Sequence, residues 1–323
     1  MKRAFVFPGQ GSQAIGMGRG LAATFRVARD LFAEVDEALS QHLSHLMFEG
    51  PECDLILTEN AQPALMAASL AVIRVLEAEG GQVLARHAAY VAGHSLGEYS
   101  ALAAARAIAV GDAARLLKLR GQAMQKAVPR GEGAMAALLG LDVEASRAVA
   151  AQAARCQTRP GETGPAEVCT VANDNAPGQV VVSGHRSAVE RAIALARERG
   201  ARRSIILPVS APFHSPLMAP VVAVMEDALH KVVLLPPQVP LVANLSATAI
   251  RDPTEIRRCL VGQVTAMVRW RESMLFLKRV GVEEVVEIGA GRVLAGLVKR
   301  IEPAFATRSV GTPAEVEVLF REL

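Results

Sequence analysis

The stretch Tyr90–Ile108 reads YVAGHSLGEYSALAAARAI. A short apolar run, YVAG, meets a serine set between glycines, Gly93-His94-Ser95-Leu96-Gly97, and a small-residue helical pattern follows. G-x-S-x-G between a buried strand and a helix is the pattern of a nucleophile elbow. Glycines lack a Cβ, so strand and helix can meet at a sharp turn with the serine at its tip. The hydroxyl then lies at a helix N-terminus, where free N–H groups and the helix dipole favour an oxyanion. A tight turn with a capping serine has the same local sequence, so the rest of the chain has to decide.

Outward from the elbow, AFVF (Ala4–Phe7) is an apolar run closed by PGQGSQ, a strand entering a Gly-rich loop. No Lys follows as in a Walker loop, and the spacing is not a dinucleotide fingerprint. Exposed amides in this loop could complete an oxyanion hole, or it is a plain turn. Leu21, Phe25, Phe32, Val35 and Leu39 keep one helical stripe. Ala61–Glu79 reads as a second helix stopped by Gly80-Gly81, and Asp112 as the cap of a third running to about Ala127.

The middle of the chain changes character. GAMAALLGL, VCTVANDN, GQVVVSGH and RRSIILPV read as strands. VEASRAVAAQAA and SAVERAIALARERG read as helices, CQTRPGETGPAE as a polar loop and NDNAPG as a turn. The order β-α-β-β-α-β is ferredoxin-like and predicts a small inserted domain over residues 131–206. The flanking parts, 1–130 and 207–323, resume strand-turn-helix patterns at PLVANLSA and VEEVVEIGAG. Together they predict an α/β sheet with helices on both faces. The EIGAGRVL turn is read as packing.

Bulk composition excludes several classes. The 323 residues are 51% hydrophobic and 21% charged, as in a globular protein. A net charge of +3 with 4% aromatics argues against nucleic-acid binding. Cys53, Cys156, Cys169 and Cys259 are scattered with no C-x-x-C, so neither a zinc site nor a disulfide framework is expected. The N-terminal AFVF run is too short for a signal-peptide core. Leu207–Met225, taken as the most apolar long stretch, carries four prolines and is not a membrane span. The expectation is a soluble cytoplasmic protein.

A nucleophilic serine needs a base. His42, His45 and His230 lie on polar helical segments, His87 precedes a strand and His185 ends one. His94 adjoins Ser95, but its side chain is expected to point away from the tip. His214, in SAPFHSPLM, sits in a loop past a strand, where catalytic groups collect; an ordinary loop histidine is the alternative. Arg120 shares its helical stripe with Leu116, Leu117, Ala123 and Met124, so its guanidinium is directed inward and must find an anion. Either an internal salt bridge or a substrate carboxylate held by a two-bond fork would satisfy it. Phe213 adjoins His214, so its ring is expected near the pocket or in loop packing.

Taken in order, FPGQGSQ, GHSLGEYSAL, RGQAMQ, GAMAALLGL, NAPGQVVVSGH, FHSPLM, GQVTAMVRW and EIGAGRVLAGLVKR resemble the malonyl-CoA:acyl carrier protein transacylases of type II fatty acid synthesis. The resemblance covers nearly the whole chain. It implies a hydrolase-like parallel-sheet domain with an inserted ferredoxin-like domain. Residue by residue, it implies Ser95 as the malonyl-carrying nucleophile, His214 as general base and acid, and Arg120 as the partner of the malonyl carboxylate. It implies the Gln10 and Leu96 amides as the oxyanion hole, and the Gln263 carbonyl as the group orienting His214. Many relatives have Asn-Pro where this chain has Thr265-Ala266, close to Gln263. Related extender-loading domains tend to carry Phe at the Phe213 position when they choose malonyl.

The implied cycle is ping-pong, from malonyl-CoA to Ser95 and on to the phosphopantetheine thiol of holo acyl carrier protein, with no metal or other cofactor. A serine esterase or thioesterase, a malonyl-loading enzyme of a polyketide pathway and a silent carrier-protein-docking subunit are the rivals.

Overall fold

A computed structural model of the chain describes residues 1–81, 83–155 and 167–323. The polar stretch at 156–166, with Cys156, lies outside them.

Among the described residues, ten strands form two sheets. They are β1 (Arg3–Phe7), β2 (Tyr90–Gly93), β3 (Gly133–Leu139), β4 (Cys169–Ala176), β5 (Gln179–His185), β6 (Arg203–Ile206), β7 (Leu241–Val242), β8 (Ala249–Ile250), β9 (Glu284–Ile288) and β10 (Ala306–Val310). The larger sheet runs β10-β9-β1-β2-β7-β8, parallel except for the short antiparallel edge β8. Ala4–Phe7 are fully buried, as a central strand covered on both faces requires. One face packs on the apolar helix Thr58–Gly80, the other on helices Trp270–Arg279 and Val293–Ile301.

The second sheet is antiparallel, in the order β4-β5-β3-β6, and closes its own core with helices Val143–Arg155 and Arg186–Glu198. It is fastened to the larger part through β4. Asp174 N donates to Val268 O at 3.0 Å, Val268 N to Ala172 O at 2.8 Å, and Arg271 pairs with Asp174 at 2.9 Å.

Several local expectations shift. The first helical stripe is two helices, Arg19–Thr24 and Arg26–Leu39, because Phe25 between them is extended (φ −117°, ψ 123°). Asp112 does not cap its helix. Ala109 is the cap residue of Val110–Lys126, and Asp112 sits in the first turn paired with Arg115. β4 runs on through Asn173–Ala176, so the hairpin turn is Pro177-Gly178 rather than the whole of NDNAPG. The helix Thr58–Ala78, not Leu207–Met225, is long and apolar enough to cross a membrane, yet 83% of its most apolar window is buried inside the protein. Its hydropathy is that of a core helix.

Candidate active site

The register of the parallel sheet assembles the site. Phe7 at the end of β1 pairs with Gly93 at the end of β2, so the Pro8-Gly9-Gln10 loop and the His94-Ser95 turn leave the sheet side by side. His94 N donates to Phe7 O at 3.0 Å. The approach is too close for side chains: a Cβ on Gly93 would lie 1.9 Å from the Gly97 carbonyl, and one on Gly97 would lie 2.3 Å from Phe7 O. Ser95 itself adopts φ 54°, a left-handed conformation uncommon for residues other than glycine. Asn244, just past β7, stabilises this turn. Its Oδ1 accepts from Ser95 N at 2.8 Å and its Nδ2 donates to Gly93 O at 2.7 Å.

His214 is also left-handed (φ 55°) and 5% exposed. Its Nδ1 lies 2.9 Å from the Gln263 carbonyl, which can only accept, so Nδ1 carries the proton. Nε2 is therefore the lone-pair nitrogen, and it sits 2.8 Å from Ser95 Oγ. Burial, and then the nearby Arg120 charge, push His214 down to about 3, so the resting imidazole is neutral.

Arg120 is 1% exposed. Its Nη1 donates to Gln62 Oε1 at 2.8 Å, and its Nη2 donates to Gln263 Oε1 at 2.9 Å and Ser95 Oγ at 3.1 Å. Nε is buried with no partner among the described residues. Among the described residues no carboxylate is hydrogen-bonded to this guanidinium, so the internal salt bridge is not formed. A buried fork with donors held by neutral amides and by the Ser95 hydroxyl retains attraction for an entering anion.

Gln10, Leu96, Ser95, Arg120, Phe213 and His214 line one cavity of about 240 Å³. The Leu96 amide precedes the helix Gly97–Ala104, and neither it nor the Gln10 amide donates to any described residue. The Gln10 side chain is anchored by Thr58 Oγ1 at 3.0 Å. His94 makes no hydrogen bond to Ser95 Oγ, but it does not leave the site: it lines the cavity wall and pairs with Asn175 Oδ1 at 2.9 Å. Among the described residues no group of three or more His, Cys, Asp or Glu is placed to hold a metal ion.

All seven sequence-predicted site residues meet here. Sequence reasoning missed Gln62, Asn244, Glu98 and the side chain of Gln263. Asn244 had a signal: a polar residue just past a parallel strand, where sites of α/β sheets lie. Glu98 is 1% exposed, and burial pushes it up to about 8 against the pull of the Asn244 amide, Gln263 and Arg120.

Comparison with known proteins agrees with this geometry. The family model of the acyl transferase domain matches residues 4–306. The malonyl CoA-acyl carrier protein transacylase of Bacillus subtilis (strain 168) is 42% identical over 322 residues, covering 100% of this chain and 97% of the relative. The crystal structure of an acyl-carrier-protein-S-malonyltransferase from Bartonella henselae superposes with a TM-score of 0.94 at 50% identity, covering 100% of this chain and 99% of that one. A malonyl-transacylase in complex with a type II PKS acyl-carrier protein superposes at 0.93 and 40% identity, covering 100% of both chains. A match running from the first strand to the start of the last, and relatives aligned end to end, show that this chain belongs to the acyl transferase domain family.

Proposed function

We propose that this protein transfers the malonyl group of malonyl-CoA to the phosphopantetheine thiol of an acyl carrier protein, as its relatives are named for doing. The observation that carries the reading is the convergence on Ser95 Oγ: His214 Nε2 at 2.8 Å and Arg120 Nη2 at 3.1 Å. The first is what a nucleophile needs, and the second is what a carboxyl-bearing acyl group needs.

His214 takes the Ser95 proton as Oγ attacks the thioester carbonyl. The carbonyl oxygen becomes an oxyanion facing the Leu96 and Gln10 amides. The tetrahedral intermediate collapses by breaking its C–S bond, and the His214 proton leaves with the CoA thiol. In the second half the carrier thiol gives its proton to His214, its sulfur attacks the malonyl-serine ester, and Ser95 is released and reprotonated. The thioester and the serine ester are both activated, so acyl exchange needs no added energy source.

Arg120 couples binding to chemistry. Three of its five N–H donors are committed in the resting state, one of them to Ser95 Oγ. A malonyl carboxylate entering the cavity pairs with the guanidinium and offsets the Arg120 charge, which adds to burial in holding His214 down. The base thus becomes more basic when the correct acyl group is present.

We read the larger part, 1–130 with 207–323, as a hydrolase-like domain, and 131–206 as a ferredoxin-like insertion. Strand order and helix packing support both labels. A cytoplasmic location follows from the reaction. The relative solved with a type II PKS carrier protein favours polyketide supply as a second pathway for the same chemistry.

Mass spectrometry after brief exposure to malonyl-CoA tests the assignment. A malonyl adduct on Ser95, stable in buffer and discharged by holo carrier protein, is expected. Rapid discharge by water alone identifies a thioesterase, and no adduct at all identifies a silent docking subunit.

A further inference from the structure

Glu98 is buried in the first turn of the elbow helix, and no step above uses it. Its two oxygens each meet an N–H donor. Oε1 accepts from Asn244 N at 2.6 Å, and Oε2 accepts from Gln263 Nε2. These two residues touch each of the three residues that carry the chemistry. Asn244 Oδ1 holds Ser95 N at 2.8 Å, Gln263 Oε1 holds Arg120 Nη2 at 2.9 Å, and the Gln263 carbonyl holds His214 Nδ1 at 2.9 Å.

A carboxamide has two ends of opposite sense. Gln263 can present its oxygen to Arg120 only while its NH₂ faces acceptors, and Glu98 Oε2 and the Ser95 carbonyl, 3.1 Å from Nε2, are those acceptors. In either protonation state each Glu98 oxygen keeps a lone pair for its donor. An amide at position 98 lacks this, because one of its two heads is a donor.

The geometry points to Glu98 as a positioning residue for acyl-group selection: it fixes the sense of the Gln263 amide and thereby aims Arg120 at the substrate carboxylate. This rests on the malonyl reading above. In Glu98→Gln an NH₂ group must oppose either Asn244 N or Gln263 Nε2. Turning over the Gln263 amide relieves the conflict at position 98, but its oxygen then faces the Ser95 carbonyl and its NH₂ the guanidinium, acceptor against acceptor and donor against donor. Arg120 loses a tether. His214 keeps its own, because that bond runs through the Gln263 main chain. A malonyl group therefore suffers from the substitution more than an acetyl group, which has no carboxylate to place.

The experiment compares kcat/KM for malonyl-CoA and acetyl-CoA loading of Ser95 in wild type and Glu98→Gln, with Tm recorded for both. The malonyl-to-acetyl ratio is expected to fall by at least about tenfold, as for loss of a buried charge-assisted contact. A merely structural Glu98 would lower both substrates equally and leave the ratio unchanged, which overturns the inference while leaving malonyl transfer intact. If Glu98→Gln does not fold, Gln263→Leu decides, since it keeps the main-chain carbonyl that holds His214. The same fall in ratio is expected there, and an unchanged ratio again overturns the inference. A wild-type protein that loads no malonyl refutes the underlying reading instead, and this one with it.

Discussion

Two corners of the larger sheet follow the same path and end differently. β2 turns through Gly93 and Gly97 into the helix Gly97–Ala104, and β9 turns through Gly289 and Gly291 into the helix Val293–Ile301. Only β1 separates the two strands. At the second corner the chain plugs its own helix N-terminus: Glu287 Oε1 accepts from Leu294 N at 3.0 Å, and Oε2 from Ala295 N at 2.9 Å. At the first, the Leu96 amide donates to no described residue beside the cavity that Leu96 lines, and the acidic residue of that turn, Glu98, is drawn aside to Asn244 and Gln263. An oxyanion can settle only where the protein has left its donors unused. A strand-turn-glycine motif thus makes a site or a joint according to where one carboxylate points.

The comparison breaks most plainly at Ser95. Ser95→Ala is expected to abolish malonyl-enzyme formation, a loss on the order of 10³-fold or more, with Tm close to wild type. An adduct formed at the wild-type rate would move the nucleophile elsewhere. Arg120→Ala is expected to cost malonyl loading about 2–5 kcal/mol, as for one partner of a desolvated pair. Acetyl loading should suffer much less, and equal losses in a side-by-side assay would make Arg120 structural.

The plugged corner answers differently. Glu287→Ala leaves two helix amides without an acceptor and should cost about 1–3 kcal/mol of stability, read from denaturant titration. Malonyl loading per folded molecule should not change. A specific loss of activity would show that the second corner also serves the site.

Phe213, 7% exposed in the cavity wall, sharpens the account of the open corner. We propose that its ring takes the space that a 2-methyl branch would need. Phe213→Ser should raise the methylmalonyl-to-malonyl ratio of kcat/KM by about tenfold, the worth of one methyl in such a pocket. A fixed ratio would leave Phe213 as loop packing.

The smallest effect is on pH. His214 is depressed from 6.5 to about 3, so it stays neutral and able to accept a proton far below its ordinary range. The loading rate should therefore show no bend near pH 6.5. Stability carries the opposite sign: between 6.5 and about 3 the unfolded histidine binds a proton that the folded one refuses, so this residue lowers stability progressively as pH falls through that window. His214→Gln should flatten that part of the stability curve.

Much of the architecture was legible because it rests on local patterns. AFVF is an unbroken apolar run, as a strand buried on both faces must be, whereas the equally buried EVVEI carries two glutamates, Glu284 and Glu287, that must find partners. The small domain's element order could be read from its alternation of strand and helix patterns, and the elbow from five residues whose glycines no other side chain could replace. The break at Phe25 was not legible, because its apolar stripe continues through the break.

The sequence by itself determined the sharp turn at Ser95, the inward face of Arg120 and the loop that carries His214. Each depends on residues within a helical turn or two of one another. The tertiary structure alone decided what those groups touch. Gln62, Asn244 and Gln263 reach Arg120, Ser95 and His214 across chain separations of 49 to 149 residues, in contacts no periodicity encodes. It also decided that Arg120 meets amides rather than a carboxylate, and that Glu287 fills one helix end while the other stays open. Hydrogen bonds of buried polar groups are short and directional. They are settled only when the sheet register has brought the loops after β1, β2 and β7 to the same end of the sheet.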